Sequence, residues 1–282
     1  MEKKKTGRKF VLIIGAMKSG TTSLFGYLSE HPEIARCKRK EPNFFSGPDW
    51  RRGYGWYERL WGSGVPEGKL LLEASTFYTK VPQFPNAAER IAATDAEFKF
   101  IYIMRNPIDR IESHYTHMVV RKGVKRELED TLKEDGHYIN TSRYAKQLDE
   151  YYKRFPPEDI LLLNFEDLKA NPDELMRRVC RFLSIDPSFN FRRTGKVLNK
   201  NKGRYLSPRI NRLLKAAPAI RHLTALVPSV FKKPVKERIG KLEDNFKFTP
   251  EQRALAESYL ADDLRRLAGE YGIDLSSWGI KL

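Results

Sequence analysis

The chain has 282 residues, 40% of them apolar, enough to bury one sizeable core. Its formal charge of +16 favours polyanionic partners, while no apolar run approaches the roughly eighteen residues of a membrane-spanning helix. Two cysteines, Cys37 and Cys180, exclude a disulfide framework and offer no metal-ligand spacing, although Arg36 and Lys38 beside Cys37 would favour a thiolate there.

Residues 1–9, MEKKKTGRK, form a basic arm without the long apolar stretch or cleavage site of a secretory leader, so the cytoplasm is the expected compartment. From Phe10 to Met17 an apolar run of strand length leads into a glycine-bearing turn and a helix. KFIYIM (Lys99 to Met104) and DILLLNF (Asp159 to Phe165) are two further short apolar runs that predict buried parallel strands. Helical spacing runs through Ile108 to Val120 and through Arg143 to Phe155, where Tyr144, Leu148, Tyr151 and Tyr152 recur. Asn171 as cap and Pro172 at the first helical position open another helix. Four prolines break the segment 207–241, which predicts a basic appendage of short helices and turns within the domain. Between Arg192 and Lys241 stand 15 Lys/Arg against the single acid Glu237, a local net of +14. Thr249 and Pro250 start a terminal helix with Leu255, Leu260, Leu264 and Leu267 along its core face. Strands alternating with helices predict an α/β layer fold on a parallel sheet.

The order Gly15-Ala16-Met17-Lys18-Ser19-Gly20-Thr21-Thr22 reads as a phosphate cradle between strand and helix. Glycines permit the tight turn, and the amides of Lys18 to Thr22 can face an anion at the helix N-terminus. In a nucleoside-triphosphate loop the lysine directly precedes the hydroxyl residue that binds magnesium. Here Lys18 is displaced outward, and IYIM ends in Arg105, where a triphosphatase places an acid that helps to hold the metal. The pattern predicts an anion held by protein charges alone, with no metal. After Arg105, Asn106 and Pro107 can cap and start a helix, on which Arg110 and Ser113 share one face. RNPIDRIESHY is thus a second anion site, suited to a phosphate monoester. Taken alone, Arg105 is equally a surface partner for Asp109.

On GAMKSGTTSL and RNPIDRIESHY the sequence resembles the sulfotransferases that use 3′-phosphoadenosine 5′-phosphosulfate (PAPS). The resemblance implies a P-loop-NTPase-like central parallel β-sheet flanked by helices. It also implies that Lys18, Ser19, Gly20, Thr21, Thr22 and Ser23 cradle the phosphosulfate, while Arg105 and Ser113 take the 3′-phosphate. RKEPNFF is similar to the K-E-x-x-F-F segment of heparan-sulfate-type and related bacterial sulfotransferases, which implies Glu41 as catalytic base. NKNKGRYLSP is similar to a late loop that closes over the 3′-phosphate, implying Lys202, Gly203 and Arg204. The tract from Ser142 to Leu183 and the ending LSSW extend the likeness over most of the chain, so residues 1–282 are expected to form a single sulfotransferase domain.

Sulfuryl transfer needs a base for the acceptor's proton and positive charge at the leaving phosphate oxygen. Glu41 and Lys18 would supply these, with release of adenosine 3′,5′-bisphosphate (PAP). Pro42 keeps Glu41 out of the helical region, in an extended or turn segment. Lys40, Phe44 and Glu73 are candidates to line the acceptor pocket, although Phe44 is equally an ordinary core aromatic and Glu73 an acid paired with a nearby cation; His114 and His117 are alternative bases. The expected acceptor is a carbohydrate or small molecule, and the basic segment leaves room for an anionic or a lipid-linked one; residues 210–241 are also a candidate peripheral membrane contact. A P-loop kinase or nucleotide hydrolase and a basic nucleic-acid-binding module are the competing readings. The displaced lysine counts against the first; the lack of regularly placed stacking aromatics or zinc ligands counts against the second, so no nucleic-acid partner is expected.

Overall fold

The computed structural model describes residues 7–122, 132–192, 203–204, 241–242 and 246–280. Five strands form one parallel sheet in the order β2-β3-β1-β4-β5. They are β1 (Lys9–Gly15), β2 (Ile34–Arg36), β3 (Leu70–Ala74), β4 (Glu97–Met104) and β5 (Ile160–Asn164). Three of them fall on the apolar runs read from sequence. The other two, β2 and β3, were not assigned: one has only three residues, and the other is an LLLEA run that ends on a carboxylate and an alanine.

Every second residue of β1 faces a different layer. Phe10, Leu12 and Ile14 pack with Phe98, Phe100 and Tyr102 against α6 (Tyr144–Tyr152) and α9 (Pro250–Tyr271). Val11 and Ile13 pack with Ile101, Ile103 and Leu163 against α1 (Thr21–Leu28) and α8 (Pro172–Leu183). The remaining α-helices among the described residues are α2 (Tyr54–Glu58), α3 (Ala87–Ala92), α4 (Pro107–Lys122), α5 (His137–Ser142) and α7 (Phe165–Ala170). Apart from this sheet, β6 (Gly203–Arg204) pairs antiparallel with β7 (Lys241–Leu242).

Caps read from sequence hold. The Asn171 side chain accepts the Glu174 amide at 3.2 Å, and Thr249 and Gln252 form a reciprocal capping box on α9. On that helix Ala256, Leu260, Leu264 and Leu267 are buried, but Leu255 is 43% exposed, contrary to expectation. The apolar stripe advances by threes and fours from position 256, and position 255 falls off it. Asp263 of α9 accepts the amides of Ala145 and Lys146 at 3.0 and 2.9 Å, so a carboxylate from one helix caps the start of another.

The basic arm stops short of its expected end, since Lys9 already opens β1 and the Arg8 carbonyl accepts the Glu97 amide. The appendage 207–241 lies outside the described residues except for Lys241. No helix among the described residues is long and apolar enough to cross a membrane. Both cysteines are free and buried. Burial, helped by the Glu73 carboxyl and opposed by Arg39, pushes the Cys37 thiol up to about 12, contrary to the thiolate expected from its flanking cations.

Candidate functional site

β1 is the central strand, with β3 on one side and β4 on the other, and the loops at the carboxyl ends of these strands gather on one edge of the sheet. At Gly15 the chain must pass Thr79 closely: a Cβ there would stand 2.2 Å from the threonine Oγ1, which donates to the Ile14 carbonyl at 2.7 Å. The Ala16 amide then donates to the Ile103 carbonyl at 2.7 Å, tying the loop to β4. Lys18 and Gly20 both take left-handed backbone conformations, with φ of 73° and 90°. This places the Thr21 and Thr22 amides at the mouth of the loop, ahead of Ser23 and Leu24, whose amides donate to the Gly20 carbonyl at 3.0 and 3.1 Å.

Gly20 also lies against Phe165, whose ring carbons would be 2.6 and 2.8 Å from an added Cβ. Gly20→Ala is therefore expected to cost about 2 kcal/mol or more in stability, from backbone strain plus the clash. Calorimetric scanning should show a lower Tm, and PAP binding should weaken in parallel; an unchanged Tm would contradict this geometry.

The second cluster begins at Arg105, directly after β4. Asn106 caps α4 as read from sequence, its Oδ1 accepting the Ile108 and Asp109 amides while its Nδ2 donates to the Trp278 carbonyl at 2.7 Å. Arg105 pairs with Asp109 at 3.3 Å, and its guanidinium lies 5.4 Å from the centre of the Phe165 ring. Ser113 lies two turns along α4 and is buried. Arg110 does not join this cluster. It is fully buried and donates to Ser142 Oγ, the Tyr138 carbonyl and His114 Nδ1, so it fastens α4 to α5.

Two rings that sequence reading missed bridge the clusters. Phe165 touches Gly20 on one side and faces Arg105 on the other. The Tyr144 hydroxyl donates to the Arg105 carbonyl at 2.9 Å and lies beside the Ser19 side chain. Among the described residues, Ser19 Oγ in the first cluster and Arg105 Nε in the second are buried without a hydrogen-bond partner.

Glu41 and Lys40 share one small hollow with Thr21, Thr22, Phe25 and Ala74, so the structure brings the expected base beside the start of α1. Pro42 does keep Glu41 out of the helical region, but the residue turns left-handed, with φ of 46°. Arg39 is drawn away to Asp49 at 2.9 Å.

Two acceptor-side expectations fail on burial. Phe44 is wholly inside the aromatic core, stacked on Tyr57 at 4.6 Å and on Trp56 at 5.8 Å. Glu73 is also fully buried and accepts the Tyr57 hydroxyl at 2.5 Å, so it lines no surface pocket. Burial raises its pKa, and the Ser75, Tyr57 and Tyr78 hydroxyls around it oppose that rise. Of the alternative bases, His117 is half-buried, and His114 is buried against Arg110, with burial and that guanidinium holding it neutral, well below the usual histidine range. Lys202 lies outside the described residues, and Gly203 and Arg204 are described only as the backbone of β6.

A cavity of about 1040 Å³ opens at the opposite edge of the sheet, among the strand starts, lined by Lys9, Phe10, Leu70 and Phe98. None of the expected site residues faces it. Its walls carry acids and bases alike, including Glu33, Glu67, Lys69 and Lys99, without an array of inward amides.

A family model described as a sulfotransferase domain matches residues 8–206. Heparan sulfate glucosamine 3-O-sulfotransferase 3A1 of Mus musculus is 29% identical over 197 residues, covering 65% of this chain and 49% of that protein. Bifunctional heparan sulfate N-deacetylase/N-sulfotransferase 2 of Bos taurus is 27% identical over 205 residues, covering 65% of this chain and 23% of that protein. The chain thus spans about half the length, or less, of these curated relatives. Among solved structures, a sulfotransferase from Alicyclobacillus acidocaldarius is similar with a TM-score of 0.70 and 24% identity, covering 97% of this chain and 99% of that one. A mouse sulfotransferase solved with PAP has a TM-score of 0.50 and 17% identity, covering 94% of this chain and 88% of that one. These structural likenesses show the fold.

Proposed function

This chain belongs to the sulfotransferase family, and we propose that it moves a sulfuryl group from PAPS to a hydroxyl or amine of a carbohydrate or small-molecule acceptor, releasing PAP. The observation that supports this reading best is the pair of unsatisfied buried polar groups, Ser19 Oγ and Arg105 Nε, one in each anion cluster at the same sheet edge. A nucleotide with phosphates at two ends would meet both clusters, its 5′ end over Lys18 to Ser23 and its 3′-phosphate at Arg105 and Ser113. The Lys18 ammonium and the α1 amides would then stabilise the leaving phosphate oxygen, where negative charge grows as the S–O bond breaks. Glu41, across the hollow from Thr21 and Thr22, would take the acceptor's proton. Fixed cations stand where a triphosphatase would hold magnesium, so the proposed transfer uses no metal. The names of the curated relatives place glucosamine units of heparan sulfate among the acceptors to try first.

The reading is tested with radiolabelled PAPS and a panel of desulfated heparan chains, glucosamine oligosaccharides, phenols and simple alcohols. Transfer to at least one of them is expected. Glu41→Gln should lower kcat on the best acceptor by about 10²–10⁴-fold, the usual contribution of a general base, while PAP affinity by calorimetry stays within about twofold. Absence of both transfer and PAP binding would reject the proposal, and a Glu41→Gln enzyme at full rate would reject the base.

A further inference from the structure

The segment carrying Glu41 is bent in an unfavourable way. Glu41 and Asn43 are both non-glycine residues in the left-handed region, with φ of 46° and 52°, flanking a proline. Each such residue costs on the order of 1 kcal/mol, so the turn persists only if something outside it holds it.

The fasteners are visible. The Asn43 amide donates to Ser75 Oγ at 3.0 Å, and the Phe45 amide donates to Tyr78 Oη at 3.4 Å. Within the turn, Asn43 Nδ2 donates to the Glu41 carbonyl at 3.0 Å. Both accepting hydroxyls belong to the stretch just after β3 and lie near the buried carboxyl of Glu73, where with the Tyr57 hydroxyl they oppose the rise that burial gives its pKa. Its Oε2 takes the Tyr57 hydroxyl at 2.5 Å, while Oε1 has no partner in hydrogen-bonding geometry among the described residues. Tyr57 in turn stacks on Phe44 of the same turn. A carboxyl on the inner side draws hydroxyl hydrogens inward and leaves their lone pairs facing outward, toward the amides of residues 43 and 45. An acidic group buried this deeply is costly unless its surroundings repay it, and here every hydroxyl around it bears on one turn.

We infer that Glu73 is a positioning residue: through the hydroxyls of Tyr57, Ser75 and Tyr78 it fixes the Glu41–Phe45 turn, and so aims the Glu41 carboxylate at the hollow beside Thr21 and Thr22. The inference rests on Glu41 being the base.

The test is a double-mutant cycle with Glu73→Gln, which keeps shape but replaces an acceptor by a donor, and the milder Ser75→Ala. Both are assayed with PAPS and the acceptor of highest turnover in the panel above. Glu73→Gln should lower kcat by roughly 10- to 100-fold, the scale of an ångström-sized misplacement, with KM for PAPS and PAP affinity within about twofold. In a Glu41→Gln background the same substitution should change kcat by less than about twofold, because both changes act through one carboxylate. Ser75→Ala should follow the same pattern with a smaller loss, and it carries the test alone if Glu73→Gln does not fold. A multiplicative loss in the Glu41→Gln background, a parallel loss of PAP affinity, or unaltered kcat would each overturn the inference while leaving the base assignment intact. A Glu41→Gln enzyme at full rate removes the base assignment first and is recognised by that single variant.

Discussion

Lys18→Ala is expected to reduce kcat/KM for PAPS by about 10²–10³-fold, with most of the loss in kcat. Lys18 stands earlier in the loop than the lysine of a triphosphate loop, which directly precedes the hydroxyl residue, and its backbone is held left-handed at φ 73°. In the proposed mechanism its charge serves the phosphate oxygen that becomes anionic during transfer more than the ground-state phosphosulfate. A group that acts mainly on developing charge lowers kcat and kcat/KM together. Removing one such preorganised donor commonly costs two to three orders of magnitude. PAP binding, measured by calorimetry, should weaken much less than turnover. A tenfold rise in KM with kcat untouched would reassign Lys18 to plain nucleotide binding.

Arg105→Ala should show the reverse split. Its guanidinium is packed over Phe165, and its buried Nε has no hydrogen-bond partner among the described residues, which suits the proposed 3′-phosphate contact. Loss of charge-assisted hydrogen bonds of this kind costs about 1.5–3 kcal/mol, or roughly 10- to 150-fold in PAP affinity. Because the 3′-phosphate is remote from the reacting sulfur, kcat at saturating PAPS should change less than affinity. The ion pair to Asp109 at 3.3 Å is the competing explanation for Arg105. If that pair were its whole purpose, Arg105→Ala would lower Tm and leave PAP affinity alone. The opposite pattern is expected.

How much of this was legible in the sequence depends on the range over which each feature acts. The strands β1, β4 and β5 announce themselves as apolar runs because both faces of a parallel sheet are covered, and caps such as Asn106, Asn171 and Thr249 act within three residues. Both anion clusters are local too, each a strand end followed by a helix start. The relations between distant elements were not legible. Helical spacing puts Arg110 and Ser113 on one face but cannot say where that face points; Ser142 and the Tyr138 carbonyl on α5 take Arg110 into the core. Phe165 lies 145 positions from Gly20 in sequence, and nothing in NFEDL marks it as the ring between two phosphate sites. Glu73 is a pocket candidate in the sequence, because sequence does not reveal that it lies in the core and accepts the Tyr57 hydroxyl. RKEPNFF leaves Phe44 open between pocket wall and core aromatic, and only the packing of Tyr57 and Trp56 around it decides for the core.

The central claim is that two separated groups of fixed donors hold opposite ends of one bisphosphorylated nucleotide. A crystal structure with PAP bound tests it most directly. The account predicts the 5′-phosphate against the amides at the start of α1 with Lys18 in contact, the 3′-phosphate on Arg105 and Ser113, and Glu41 facing the open side of the 5′-phosphate. PAP lodged in the cavity at the opposite sheet edge, or held through a divalent ion with Arg105 still paired to Asp109, would contradict it.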